Sequence, residues 1–246
     1  MQILTNFSPA KTGGTFFMQE LKIILKKHQQ EFASVVDFDA GKDKLLPMDF
    51  SIGNNELKDY YISDTSWFTL YIQQTLANSG ARFGIGGYGE DRILYKRFKH
   101  FDGDEQRSIH LGIDIWGPEN TRIYAPLGGM VYGFAFNDQD GDYGATIILQ
   151  HQLDMVNFYT LYGHLSLKDI AHLRKGMVIT RGECFAHFGN VKENGNWPPH
   201  LHFQIIEDIR FHESDYPGVC RSSEKVKYLK NCPDPDLILV MNKWLY

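Results

Sequence analysis

The chain has 246 residues, 43% of them hydrophobic and 22% charged, with 30 acidic against 25 basic side chains and a formal charge of −5. That profile excludes a disordered tail, a collagen-like repeat and a coiled coil, and without any Lys/Arg-rich run nucleic acid is not the expected partner. Apolar stretches fall well short of the roughly 18–20 residues that a membrane span needs, while the length lets about 70–75% of the unfolded surface be buried without disulfide staples.

The first residues, Met1 to Pro9, carry neither a charged n-region nor an apolar h-region, so no secretory signal is visible. Cys184, Cys220 and Cys232 read as reduced thiols and the cytoplasm is the expected location, the alternative being export by another route, in which case Cys220 and Cys232 could pair. From Thr15, Phe16, Phe17, Leu21, Ile24, Leu25 and Phe32 recur near helical spacing and predict a helix packed on the main core. Residues 37–53 contain Gly41, Pro47 and Gly53 and read as a loop. Asp64-Thr65-Ser66 is an N-cap cluster ahead of Trp67, Phe68, Tyr71, Ile72 and Leu76, and Asn78-Ser79-Gly80 ends that second helix. Gly84, Gly86, Gly87 and Gly89 read as a flexible linker, since no Lys-Ser/Thr follows to make a phosphate loop.

From Ile93 the period becomes two. Strands are predicted at 93–98, 113–116, 123–125, 130–136, 145–151, 158–161, 177–180, 184–188 and 201–206, with one short helix around 167–173. Many short strands and so few helices predict a mainly β domain, an antiparallel sheet with flanking helices, in the α+β class. The expected division is a helical region with its linker at 1–90, the β domain at 91–210, and a loop-rich extension at 211–246. That extension carries Tyr216-Pro217-Gly218 and Pro233-Asp234-Pro235.

Three compact signatures hold the chemistry. Pro199-His200-Leu201-His202-Phe203 contains a His-x-His. On a strand, residues i and i+2 share a face about 6.6 Å apart, so both imidazoles would face one cleft while Leu201 and Phe203 face the core. His110-Leu111-Gly112-Ile113-Asp114 is a His-x-x-x-Asp. Fully extended it would span about 13 Å, too far to grip one ion, so Gly112 must let the chain bend. Tyr162-Gly163-His164-Leu165-Ser166 places His164 at a strand end. Together the three offer at most four protein ligands with one or two imidazoles to spare. Catalytic zinc needs three protein ligands and an open position, which leaves the remaining histidines for proton transfer.

In this order the three signatures resemble the lysostaphin/LytM-type zinc metallopeptidases. The resemblance covers roughly residues 91–207 and extends to Ala125-Pro126, Gly129-Met130-Val131, Gly144 and Lys175-Gly176. It implies a groove on a small antiparallel sheet with one Zn2+ per chain on its floor, held by His110, Asp114 and His202, with His164 and His200 as the catalytic pair. It further implies hydrolysis of peptide bonds by zinc-activated water, and substrates among peptidoglycan stem or cross-bridge peptides. Trp197, in Asn196-Trp197-Pro198 where the family often has Thr-Gly, and Tyr162 are candidate groove residues. The alternatives are a non-catalytic regulator of wall hydrolases, which should lack some of the five site residues, and a peptidase acting on a non-wall peptide. Oligomeric state is not legible.

Overall fold

Strand alternation builds one sheet across most of the chain. The structure, a computed structural model, describes residues 14–55, 57, 59–97, 103 and 105–245. Its strands are β1 (Leu45–Pro47), β2 (Phe83–Gly86), β3 (Arg107–His110), β4 (Ile113–Trp116), β5 (Arg122–Tyr124), β6 (Gly129–Asn137), β7 (Gly144–Leu153), β8 (Val156–Leu165), β9 (Val178–Ile179), β10 (Cys184–His187), β11 (His200–Ile206) and β12 (Val219–Arg221). Eight of them form a sheet in the order β1-β2-β4-β11-β8-β7-β6-β9, antiparallel except for the β1–β2 pair. β5 pairs with β10 and β3 with β12 in two small ladders.

The helices are α1 (Gly14–Lys27), α2 (Asp59–Ile62), α3 (Thr65–Ser79), α4 (Leu167–Ile170), α5 (Lys225–Asn231) and α6 (Asp236–Leu239). α3 begins where Asp64 Oδ1 accepts the N–H groups of Ser66 and Trp67, and ends at Gly80 with a left-handed φ of 65°. Such an N-cap is worth about 1 kcal/mol. Its buried stripe, Phe68, Ile72 and Leu76, recurs every fourth residue. Among the described residues no helix is long and apolar enough to cross a membrane.

The two faces of the sheet are covered differently. One face carries Ile113, Ile115, Tyr162, Leu201, Phe203 and Ile205 into the main apolar core, where Leu21 and Leu25 of α1 also pack. The other face is covered from two sides. A cluster around Phe50, Phe68, Trp116 and Trp197 brings in α2 and α3, and a cluster around Tyr143, Ile206, Tyr216 and Cys232 brings in the C-terminal segment. A cleft remains between them.

Two expectations change. Gly84 and Gly86 belong to β2 rather than to a flexible linker, so the sheet runs across the division expected near residue 90. Glycine is used there because the chain after β1 passes close by: a Cβ at Gly86 would collide with the Met48 carbonyl oxygen. The predicted strand at 93–98 is a 3-10 helix over Ile93–Arg97, with residue 98 outside the described set. Leu94 and Tyr95 there are buried against the cleft-side cluster instead of pairing in the sheet.

Candidate functional site

β4 and β11 are antiparallel neighbours with Asp114 opposite His202 and Trp116 opposite His200. Period-two alternation therefore sends Asp114, His200 and His202 to the cleft face and Leu201 and Phe203 to the core. His110 reaches the same point because the chain bends at Gly112 between β3 and β4. A Cβ on Gly112 would lie 2.6 Å from the His202 ring, so this position must also stay bare for the imidazole to fit.

Three donor atoms converge there. His110 Nε2 is 2.9 Å from His202 Nδ1 and 3.3 Å from Asp114 Oδ1, and His202 Nδ1 is 3.2 Å from that same oxygen. Ligands held at ~2.0–2.1 Å around a tetrahedral ion stand about 3.3–3.4 Å apart; the two edges to Asp114 Oδ1 are close to that, and the His110–His202 edge at 2.9 Å is shorter. The remaining nitrogens support the same reading. His110 Nδ1 donates to the Gly87 carbonyl at 3.2 Å, and His202 Nε2 to Gln204 Oε1 at 2.9 Å. Gln204 is itself oriented by its amide N–H, which donates to the Pro217 carbonyl at 3.2 Å. Each imidazole thus spends its proton on the far side and turns a lone pair toward the centre, the arrangement metal-binding histidines need. The residues present fit a divalent metal ion.

His164 and His200 stand beside this triad with ring centroids 4.0 Å apart. Their Nδ1 protons are also taken by backbone carbonyls, of Asn194 and Pro198 respectively, each at 2.8 Å. Among the described residues Nε2 makes no hydrogen bond in either ring, His200 Nε2 standing 4.0 Å from Asp114 Oδ2, and it is left as the basic atom facing the cleft. Trp116 stacks on His200 at 4.0 Å with 17° between planes and fixes its orientation. Burial pushes the His200 pKa down to about 4 and that of His110 down to about 3. Burial, then the adjacent His200 imidazole, with which His164 cannot readily share a second positive charge, holds His164 well below its ordinary value. All three are therefore neutral near pH 7. Burial alone would raise the Asp114 carboxyl, but His110 and Arg92 outweigh it and hold it well below the usual range, so Asp114 is a carboxylate.

His164 occupies a left-handed backbone conformation, φ 63°. The register of β7 with β8 slips between Ala145 and Ile147, opposite the stretch from Tyr162 to Leu165. Its N–H donates to the Tyr143 carbonyl at 2.8 Å and its own carbonyl accepts from Gly189 at 2.9 Å. That bulge swings the imidazole to the cleft face and accounts for a correction. Tyr162, expected in the groove, lies two residues before His164 but points the other way. It is fully buried against Phe185 and Phe203, 4.9 and 5.2 Å between ring centroids. Trp197 does line the cleft, yet it is packed into the wall at 3% exposure, edge-on to Tyr95, rather than standing free.

The cleft, about 190 Å³, is walled by Tyr95, Trp116 and Trp197 on one side and Tyr143 and Tyr216 on the other, with Arg107, His212 and Asp215 also lining it. The sequence reading missed Gly87, Glu90 and Arg92. Arg92 is 1% exposed, donates from Nη1 to Asp114 Oδ2 and from Nε to Glu90 Oε2 at 2.6 Å. Nothing in the local sequence marks it, because its partner lies 22 residues away.

Residues 108–213 match the model of a family described as Peptidase family M23. The matched segment holds all five cleft residues His110, Asp114, His164, His200 and His202, but not Gly87, Glu90 or Arg92. Among solved structures, the lysostaphin catalytic domain of Staphylococcus simulans is similar at 22% identity over 63% of this chain and 96% of that one, with a TM-score of 0.40. A zinc-containing peptidase of Vibrio cholerae is 23% identical over 48% of this chain and 31% of that one, with a TM-score of 0.34. The catalytic domain of a prophage-encoded M23 protein of Enterococcus faecalis is 21% identical over 51% and 81%, with a TM-score of 0.36. No curated protein matches the sequence.

Proposed function

From the match of residues 108–213 to the peptidase family M23 model, we propose that the chain is a zinc-dependent endopeptidase cleaving peptidoglycan stem or cross-bridge peptides. The observation that carries the metal and the hydrolysis is the division of labour among buried imidazoles. Two, His110 and His202, aim lone pairs with Asp114 Oδ1 at one point, while His164 and His200 keep free Nε2 atoms beside it. A zinc ion held by the first set would supply a Lewis acid that brings the pKa of water toward ~7 and polarises a peptide carbonyl.

The rest is done by the chain. His164 and His200 are neutral with Nε2 free, so either can accept the proton of the attacking water. The imidazolium so formed donates a hydrogen bond to the tetrahedral oxyanion and then returns its proton to the departing amine. The backbone carbonyls of Asn194 and Pro198 keep both rings in the tautomer this requires. The aromatic walls exclude bulk water and favour an extended peptide threaded between them.

The test is a digest of a mixed muropeptide pool by the zinc-loaded chain, read by mass spectrometry beside His164→Ala and Asp114→Ala. New amino termini that are absent with both variants are expected, and they identify the bond. An unchanged muropeptide pool together with cleavage of a different peptide library would overturn the wall substrate and leave the peptidase reading standing.

A further inference from the structure

Arg92 lies outside the family-matched segment, yet it touches the candidate metal centre through Asp114. Its guanidinium is used as a fork: Nε holds Glu90 Oε2 at 2.6 Å while Nη1 holds Asp114 Oδ2. Its own N–H donates to the Ser108 carbonyl at 3.0 Å, and the next N–H, of Ile93, donates to the Phe50 carbonyl at 3.1 Å. The Phe50 ring centroid lies 5.8 Å from the guanidinium carbon. The cation is therefore fixed from its backbone outward.

The two oxygens of Asp114 are consequently unequal. Oδ1 faces His110 Nε2 at 3.3 Å and His202 Nδ1 at 3.2 Å, whereas Oδ2 accepts a hydrogen bond from Arg92 Nη1 and has His200 Nε2 4.0 Å away. A carboxylate with both oxygens free can bind a divalent ion through one or both, and the second oxygen would take the position that a hydrolytic site keeps open. We infer that Arg92 is a positioning residue that confines Asp114 to one-oxygen coordination and so preserves the open position for water and substrate. The same stretch supports a second ligand, since the Gly87 carbonyl takes the Nδ1 proton of His110 and the Glu90 carbonyl takes its backbone N–H at 2.9 Å. Residues 87–92 thus orient two of the three ligands from outside the family domain. This inference rests on the metal reading above.

The experiment uses the full chain, stripped with a chelator and titrated with Co2+ alone, and reads the visible spectrum, whose intensity reports coordination number. A companion competition titration gives the zinc dissociation constant. Wild type is expected to show the intense band of four-coordinate cobalt. Arg92→Met is expected to show the weaker band of a five-coordinate ion, with zinc binding about ten- to a hundredfold weaker because the carboxylate is no longer pre-oriented. Arg92→Lys keeps the buried charge, but a single ammonium cannot span Glu90 and Asp114 as the fork does, so the same change is expected with smaller amplitude. Should Arg92→Met fail to fold, Arg92→Lys decides. A folded variant with the wild-type cobalt spectrum overturns the inference while leaving the metal site intact, and a wild-type chain that takes up no cobalt overturns both.

Discussion

His151 and the His164–His200 pair are all buried, all neutral near pH 7, and all on strands of the same sheet, yet they sit on opposite faces and use their nitrogens differently. His151 faces the apolar core, stacked on Phe158 at 5.1 Å, and both its nitrogens are occupied: Nδ1 by the Gly128 carbonyl at 2.9 Å and Nε2 by the Thr160 hydroxyl at 2.7 Å. His164 and His200 each have one nitrogen occupied and one open to the cleft. Burial and a depressed pKa are common to the three and so discriminate nothing. What separates the packing histidine from the pair proposed for proton transfer is an unspent nitrogen next to a convergent donor set.

The sharpest way to break that contrast is to remove the open nitrogens. His164→Ala and His200→Ala are each expected to lower peptide hydrolysis by about a hundredfold or more while leaving bound zinc near one per chain, measured by turnover and elemental analysis together. Loss of zinc in these variants would mean that the pair are ligands and that the contrast is misassigned. Asp114→Ala should instead lose both metal and turnover.

A smaller effect is expected at Gly112. An alanine Cβ would press on the His202 ring, so Gly112→Ala should weaken zinc binding by roughly tenfold through displacement of that ligand. Competition with a chromophoric chelator measures it, and an unchanged affinity would mean that the ring yields without cost.

The smallest effect on turnover, and the clearest on stability, belongs to His151. Its folded-state pKa of about 4 lies below the unfolded value of 6.5, so the unfolded chain binds more protons in between. Stability from this residue is present above about pH 6.5 and is lost as pH falls toward about 4, up to roughly 3 kcal/mol. Urea midpoints for wild type and His151→Gln should differ most near neutrality and converge on acidification, while turnover per folded molecule at pH 7 stays unchanged. A parallel offset at every pH would sink the titration argument.

Local chemistry made much of this legible. The His200–His202 alternation, the bend at Gly112, the strand at 113–116 and the Asp64 and Gly80 caps all depend on neighbours within a few residues, and each stands in the structure as its residues imply. The rest depended on distant partners. Tyr162 turns to the core because the bulge at His164 reverses the parity that two-residue spacing implies. Ile93 to Arg97 forms a 3-10 turn because burial of Leu94 and Tyr95 beside the cleft overrides their apolar character as strand residues. Arg92 and Glu90 gave no signal, since Glu-Asp-Arg in sequence is an ordinary charged turn until β3 and β4 are laid beside it.

The pairing of β2 with β4 has a practical corollary for anyone dissecting the chain. Gly84, Ile85 and Gly86 satisfy the backbone of Trp116, Ile115 and Asp114 on the side away from β11. A fragment beginning near residue 91 would bare that side of β4 as a free edge, a template for pairing with other chains. Such a fragment would carry every family-matched residue and still be prone to aggregate, so low yield from it would report an unzipped sheet rather than a defective active site.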